Sequence, residues 1–285
     1  MFGSLVIVYP TPHEGGELVL RHKDREWTFD ANSLTSSQPS PSVAYVAFYS
    51  DIEHEVLKVS SGCRVTLTYN LYLVDPSPNE QAPSVVPNLR DISNLQSTLR
   101  SLLESPEFLP DGGTLGFGLA HLYPVTFKTK LTDMTKYLKG EDTHVYRACT
   151  ELHLHPSLRM VYDDDELRWD GTRTAARPRG IMLDSIVEQP SYDYMDESYR
   201  EHLITKYGGI PINKDNKTIA SDSEWLQPEG HVVTEESMQI TWVAPFKEGN
   251  NLRDVVTAYG NQVAVDYIYC SPCLIVPIDP ASERV

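Results

Sequence analysis

Residues Ala47 to Leu73, AFYSDIEHEVLKVSSGCRVTLTYNLYL, decide how the first part of the chain folds. The run reads as a strand, a polar turn carrying His54, a second short strand, a Ser-Gly turn at Ser60, Ser61 and Gly62, and a long alternating strand that begins at Arg64. If the strands after His54 form a hairpin, the guanidinium of Arg64 points into the sheet face that His54 approaches. A metal ligand and an anion clamp would then share one pocket.

Upstream of this stretch the same alternation recurs. Ser4 to Tyr9 is an apolar strand broken by Pro10 and Pro12, and His13, Glu14, Gly15 and Gly16 read as a turn of residues that tolerate positive φ. Glu17 to Arg21 (ELVLR) and Arg25 to Asp30 (REWTFD) alternate with a period of two, while Ala31 to Ser42 reads as a Ser/Pro-rich surface loop. Val43 to Tyr49, His54 to Val59 and Arg64 to Val74 complete a series of six short strands, with no helix expected among them. That spacing suggests a β-sandwich or jelly-roll barrel. A chain that opens on a buried strand either pairs it with later strands or lacks upstream sequence.

Residues 76–88 contain the Pro-rich linker PSPNEQAPSVVP, and beyond them the pattern changes. Asp91 is placed to cap a helix running to about Glu104, with Ile92, Leu95, Leu99, Leu102 and Leu103 on one stripe. A Gly-rich turn and strand follow, then helices near Thr132 to Leu138 and Thr143 to Leu152, and strands at Leu158 to Tyr162 and Gly180 to Glu188. Asp163 to Arg179 is a charged excursion, Tyr192 to Tyr207 partly helical, and Lys214 to Gly230 a polar loop. Ile240 to Ala244, Asp254 to Tyr259, Val263 to Tyr269 and Leu274 to Ile278 finish the chain as strands. The fold class expected is therefore mainly β with helices (α+β): residues 1–75, a linker at 76–88, and an α+β region at 89–285.

Bulk properties bound the function. With 285 residues, 40% hydrophobic and 22% charged, the chain has material for a substantial core. A formal net charge of -16 argues against a duplex nucleic-acid surface, which needs an excess of Lys and Arg. No apolar run reaches the roughly 18 residues of a membrane span, and the N-terminus lacks the charged n-region of a signal peptide. An intracellular location, cytoplasmic or nuclear, is expected. The four cysteines, Cys63, Cys149, Cys270 and Cys273, are too scattered for a secreted disulfide framework. The CSPC at Cys270 and Cys273 spells a redox pair or half a zinc site, but its strand-like flanks favour a turn.

Other constellations are weaker. His153 and His155 have the spacing that puts two histidines on one strand face, with no third ligand in view. Asp163, Asp164, Asp165 and Glu166 lack the alternation and glycine of an EF-hand loop. Asp111, Gly112 and Gly113 mark a turn, not a phosphate-binding fingerprint. No Gly-x-Ser-x-Gly elbow is present.

The segments GSLVIVYPTPHEGGELVLRH, VAYVAFYSDIEHEV and SGCRVTLTYNLYL resemble the later strands of the double-stranded β-helix of iron(II)- and 2-oxoglutarate-dependent dioxygenases. The prolyl 4-hydroxylase-like branch, and fungal members within it, are most similar. The resemblance rests on Gly15, Gly16 and Leu18 at a strand start, on His54 in an HEV run, and on Arg64 ten residues later followed by Thr66. It implies that His54 is the distal metal ligand and that Arg64, with Thr66, holds the far carboxylate of 2-oxoglutarate through a bidentate fork. Leu18 and Val56 would line the cosubstrate pocket as apolar walls. Implied cofactors are Fe(II), 2-oxoglutarate as cosubstrate, and possible ascorbate.

The same resemblance places a His-x-Asp metal pair on a strand before the one that opens this chain, so the sequence is expected to be N-terminally incomplete with respect to the family. Within the chain, His22, Lys23 and Asp24 have the spelling of such a pair but fall in a hairpin turn; His13 adjoins the Gly-Gly turn and is expected to be solvated. Three readings follow. One is a prolyl hydroxylase-like oxidoreductase, another a non-catalytic binding or scaffold protein derived from the fold. The third is a repurposed metal site using His13, His22 or Asp24 with His54. The substrate, protein or small molecule, is not specified by these residues.

Overall fold

The computed structural model describes residues 1–36, 40, 42–72, 89–123, 125–163, 179–187, 199–213, 216, 225–226, 232–233, 238–246, 251–258 and 262–284. The chain forms two compact units, Met1–Ser84 and Val85–Val285. The expected linker at 76–88, the acidic residues from Asp164 onward and most of the expected loop at 214–230 lie outside the described residues. Within them the protein is mainly β with some helices, and no helix is long and apolar enough to cross a membrane.

The first unit contains β1 (Gly3–Val8), β2 (His13–Gly15), β3 (Leu18–His22), β4 (Arg25–Phe29), α1 (Ala31–Ser36), β5 (Ala44–Tyr49), β6 (Glu53–Val56), β7 (Val59–Gly62) and β8 (Thr66–Leu71). These strands pair antiparallel as two three-stranded sheets, β5-β1-β8 and β4-β3-β6, and one ribbon, β2-β7. Alternation sets the inner rows. Val6 and Val8 are buried, Val46 lies opposite Val6, and Ala44 and Thr66 flank Val8 on its two sides. Phe29 at the end of β4 and Ala31 pack with Val6, Val8 and Ala44, so the inner row of one sheet meets the end of the other.

The quoted stretch departs from its expected path. His54 lies inside β6 and not in a turn, and Ser60, Ser61 and Gly62 belong to β7. Regular structure in the last strand starts at Thr66. No hairpin forms after His54: β6 pairs with β3, β7 with β2, and β8 with β1. Turn-like composition is overridden because each short strand finds a cross-strand partner. The Leu57 N–H reaches the Glu17 carbonyl at 2.9 Å and continues the β3-β6 ladder, and Gly62, at φ 77°, stands opposite His13. His13 itself is buried rather than solvated, and the expected turn at His13 to Gly16 is in part strand β2. Residues 31–36, read as loop, form α1, so a helix does interrupt the strands. Asp30 caps it, accepting the Ser33 N–H at 3.1 Å and the Ser33 hydroxyl.

The second unit contains α2 (Leu89–Glu104), β9 (Gly113–Gly118), α3 (Leu131–Met134), α4 (Gly140–Glu151), β10 (Ser157–Asp163), β11 (Arg179–Leu183), α5 (Tyr199–Tyr207) and β12 (Ile210–Asn213). It continues with β13 (Trp225–Leu226), β14 (Val232–Val233), β15 (Thr241–Ala244), β16 (Asn251–Ala258) and β17 (Gln262–Ile278). The main sheet runs β12-β11-β10-β17-β9-β15, with β16 also paired to β17. Among the described strands, only β15 runs parallel to its partner, β9. Met160, Tyr162, Leu274 and Val276 bury one face beneath α2, α3, α4 and α5, while Val161, Cys273, Ile275 and Trp242 bury the other. Burial on both faces explains why β10 and β17 read as near-continuous apolar runs.

Three expectations are corrected in this unit. α2 starts at Leu89, so Asp91 is its third residue and not its cap, and Leu102 leaves the buried stripe at 40% exposure. The CSPC is no turn: Cys270, Ser271, Pro272 and Cys273 continue the single strand β17, paired with Tyr162, Val161, Met160 and Arg159 of β10. His153 and His155 follow α4 in a turn with φ 60° and 50°, both exposed, and do not form a strand face.

Burial also fixes thiol chemistry. Desolvation pushes the Cys149 thiol up to about 11, and that of Cys273 higher still. At pH 8 roughly one Cys149 in a thousand is then thiolate, the reactive form. A thiol reagent is expected to label exposed Cys63 quickly in the native protein and the other three cysteines only in denaturant. A folded pKa above the unfolded value of 9.0 makes this contribution complete below pH 9 and lost as pH rises through 11. Urea midpoints should fall across that window, with Cys149→Ala reducing the fall; an unchanged alkaline slope would refute the assignment.

Candidate functional site

The β3-β6 register builds the proposed pocket wall. Leu18 lies opposite Val56 and Leu20 opposite His54, so these four share one face of the β4-β3-β6 sheet. Residues of opposite parity mark the outer face, where Arg21 meets Glu26 at 2.7 Å, Glu55 at 3.2 Å and Glu53 at 3.8 Å. Glu53 is thereby engaged with Arg21. Leu18 is only 1% exposed, whereas Val56 across from it is 52% exposed.

His54 is exposed on that inner face, its ring 5.0 Å from the ring of Phe48 on β5. Its Nδ1 lies 3.1 Å from the Ile52 carbonyl oxygen. A carbonyl cannot donate, so Nδ1 carries a proton, and in the neutral ring Nε2 has the lone pair a metal ligand needs. His13 follows the same rule, with Nδ1 2.7 Å from the Thr11 carbonyl oxygen, but it is buried in β2.

Arg64 stands in the connection between β7 and β8. A Cβ placed on Gly16 would lie 2.7 Å from the Arg64 Cδ and 2.9 Å from the Val59 Cγ2, so the arginine stem lies against a glycine that leaves it room. Gly16 has φ 77°, a conformation that glycine adopts without strain. The Arg64 Nε is buried with no hydrogen-bond partner among the described residues, and desolvation moves the guanidinium pKa down. Buried N–H groups are ordinarily satisfied, by protein, by ordered water or by a bound ion. Thr66 is half-buried and opposite Val8, on the inner row of β8.

His54 joins no group of three potential ligands among the described residues. His22, on the same face of β3 as Leu20, instead has a ligating atom within 4.8 Å of an Asp51 carboxylate oxygen, and both residues are half-buried. Asp24 and His13 enter no such group. Thus Leu18, Val56 and His54 are brought onto one sheet face, Arg64 is set beside Gly16, and Asp51 rather than Asp24 approaches His22.

The sequence reading passed over a buried polar cluster in the second unit. Asp142, in the first turn of α4, accepts the Ala120 N–H at 2.7 Å, the His121 N–H at 3.1 Å and the Tyr123 hydroxyl at 2.7 Å. That hydroxyl accepts the Lys139 N–H at 2.8 Å, and the Lys139 Nζ donates to the Leu122 carbonyl at 2.9 Å. Burial raises the Asp142 pKa, opposed by the three hydrogen bonds. An acidic residue just after Gly140 at a helix start was the available signal. Compared with protein-family models, curated proteins and solved structures, the chain gives no match.

Proposed function

We propose that the first unit is the later strand set of a double-stranded β-helix of the iron(II)- and 2-oxoglutarate-dependent dioxygenase type, and that Arg64 binds the far carboxylate of 2-oxoglutarate. The antiparallel orders β5-β1-β8 and β4-β3-β6, with the inner row of the first meeting Phe29 at the end of β4, support the jelly-roll reading. The carrying observation is the orphaned Arg64 Nε beside Gly16. A carboxylate supplies the acceptor this N–H lacks, in the charge-assisted geometry that suits a guanidinium fork. In this reading the Leu18 and Val56 row would flank the carbon chain and Thr66 would serve the same carboxylate.

Iron fits less completely. His54 offers one nitrogen, but a facial site needs two further protein ligands, and no group of three potential ligands among the described residues includes His54. No chemical step is therefore derived through iron. When bound in such enzymes, iron with 2-oxoglutarate supplies the oxidising power to hydroxylate a C–H bond. The solitary His54 favours, as a second reading, a non-catalytic binding or scaffold protein that keeps the diacid pocket.

Calorimetric titration of 2-oxoglutarate into the metal-free chain tests the common part. Saturable binding is expected, weakened about 10- to 100-fold in Arg64→Ala, the range for a hydrogen bond to a charged group. No saturable binding, or equal binding by the variant, would overturn the reading. Anaerobic Fe(II) titration then separates enzyme from scaffold. Stoichiometric uptake lost in His54→Ala supports the enzyme, no uptake supports the scaffold, and uptake lost instead in His22→Ala supports a repurposed site.

A further inference from the structure

We propose that β8 is an open sheet edge on which a second copy of this chain docks, strand against strand, across a twofold axis at Thr68. β8 ends the order β5-β1-β8 and pairs with β1 alone among the described strands. The Tyr9 N–H donates to the Val65 carbonyl at 3.0 Å and continues the β1-β8 register, so the odd-numbered residues of β8 aim their backbone groups at β1. Those of Thr66, Thr68 and Asn70 point away from it, and among the described residues no hydrogen bond reaches them. The opposite edge is partly engaged. There the Ser50 N–H donates to the Phe2 carbonyl at 3.1 Å, which turns Tyr45, Ala47 and Tyr49 outward, and the Tyr49 carbonyl already accepts the Ile52 N–H at 3.1 Å.

Proteins ordinarily block such an edge with charge, proline or a bulge. From Val65 to Leu71 the sequence VTLTYNL has no charged residue, proline or glycine, and its pairing with β1 runs without a register shift. Symmetry and charge identify the occupant. Two copies set antiparallel, with Thr68 opposite Thr68, place Thr66 opposite Asn70 on either side of the axis. In each of these pairs the outward groups exchange two backbone bonds. On the outer face Leu67 then meets Tyr69 of the second copy, and Tyr69 meets its Leu67, an aromatic–aliphatic pairing that stabilises sheets. Both side chains are exposed in the single chain. A net charge of -16 sets copies against one another over most of their surface, whereas this strand brings no like charges to the contact. The contact is isologous, so it closes at two copies. One strand per copy is far less than the roughly 20–30 residues a side of a standard interface, which makes the dimer a weak one that forms as concentration rises.

Sedimentation of the full chain from about 1 μM to about 1 mM, the range of weak association, tests this. Wild type is expected to pass from monomer to dimer. Hydrogen exchange over the same range should slow at the Thr66, Thr68 and Asn70 amides, while those of Leu67 and Tyr69, already bonded to β1, stay unchanged. Thr68→Lys and Thr68→Asp each set like charges face to face at the axis and should weaken association about tenfold or more. An equal mixture of the two should restore it, because position 68 faces its own copy. Thr68 is exposed, so both variants are expected to fold, and the exchange pattern of wild type tests the same register without any substitution. A wild type that stays monomeric throughout leaves the edge to a strand of another protein and overturns the inference. Association unmoved by either variant, a mixture no stronger than its components, or growth beyond the dimer would overturn it equally.

Discussion

Asp142→Ala is expected to cost the second unit about 3 kcal/mol or more of stability, because three buried donors lose their acceptor together. The Ala120 and His121 N–H groups cannot turn elsewhere without moving the segment after β9, and the Tyr123 hydroxyl is already committed as acceptor to the Lys139 N–H. Each unsatisfied donor costs about 1–3 kcal/mol, and relaxation recovers only part of it. The loss also removes a negative charge from the first turn of α4, where the helix dipole favours one. Asp142→Asn separates shape from charge. Its carbonyl oxygen still serves one backbone N–H, but its amide turns a donor toward donors, so about half the loss should remain. Urea unfolding followed by hydrogen exchange over residues 113–123 and 140–151 gives the readout. Unchanged exchange in both segments in Asp142→Ala would remove the cluster's claim to hold α4 against the chain after β9.

That cluster shows where sequence legibility ends. Alternation announced β1, β3 and β4 because Val6 and Val8, Leu18 and Leu20, and Trp27 and Phe29 carry it in their side chains, while β10 showed as an apolar run. It gave no notice of β7, whose Ser60, Ser61 and Gly62 have turn composition and become strand only against β2. α1 was hidden by Ser and Pro content, although Asp30 and Ser33 spell a cap. β17 was cut in two by Pro272, a residue that central strands ordinarily exclude. The structure accommodates it at the end of the β9 ladder: the Leu119 N–H reaches the Pro272 carbonyl at 3.4 Å, and the edge of Pro272 on that side needs no donor of its own beyond Cys273. The candidate site was legible in its residue types and not in its geometry. His54 and Arg64 were drawn together by an expected hairpin, whereas His54 lies on β6, which pairs with β3, and Arg64 lies in the connection after β7, which pairs with β2.

This indirect route makes Gly62→Ala the largest effect expected in the first unit. Gly62 is exposed, and composition alone predicts tolerance. The backbone says otherwise. At φ 77° an alanine is strained by about 1–2 kcal/mol, and its Cβ would overlap the Pro12 carbonyl oxygen and lie 2.8 Å from the His13 Cα. Neither neighbour is the end of a flexible side chain, so the β2-β7 ribbon must open, losing the Gly62 to His13 pairing and the Cys63 N–H bond to the Pro12 carbonyl at 3.2 Å. A total of about 3 kcal/mol or more follows from strain, overlap and lost ladder bonds together. Ser61→Ala, one residue away and equally exposed, has ordinary φ and should cost little. Because Arg64 follows Gly62 by two residues, the ribbon's opening should also release the guanidinium from Gly16. Gly62→Ala is thus expected to speed hydrogen exchange across residues 12–16 and 59–63, and under the proposed clamp reading to weaken 2-oxoglutarate binding, while residues 3–8 of β1, held between β5 and β8, keep their protection. Protection lost equally in β1 would mean that the ribbon and the three-stranded sheet unfold as one, and the local account of Arg64 positioning would have to be abandoned.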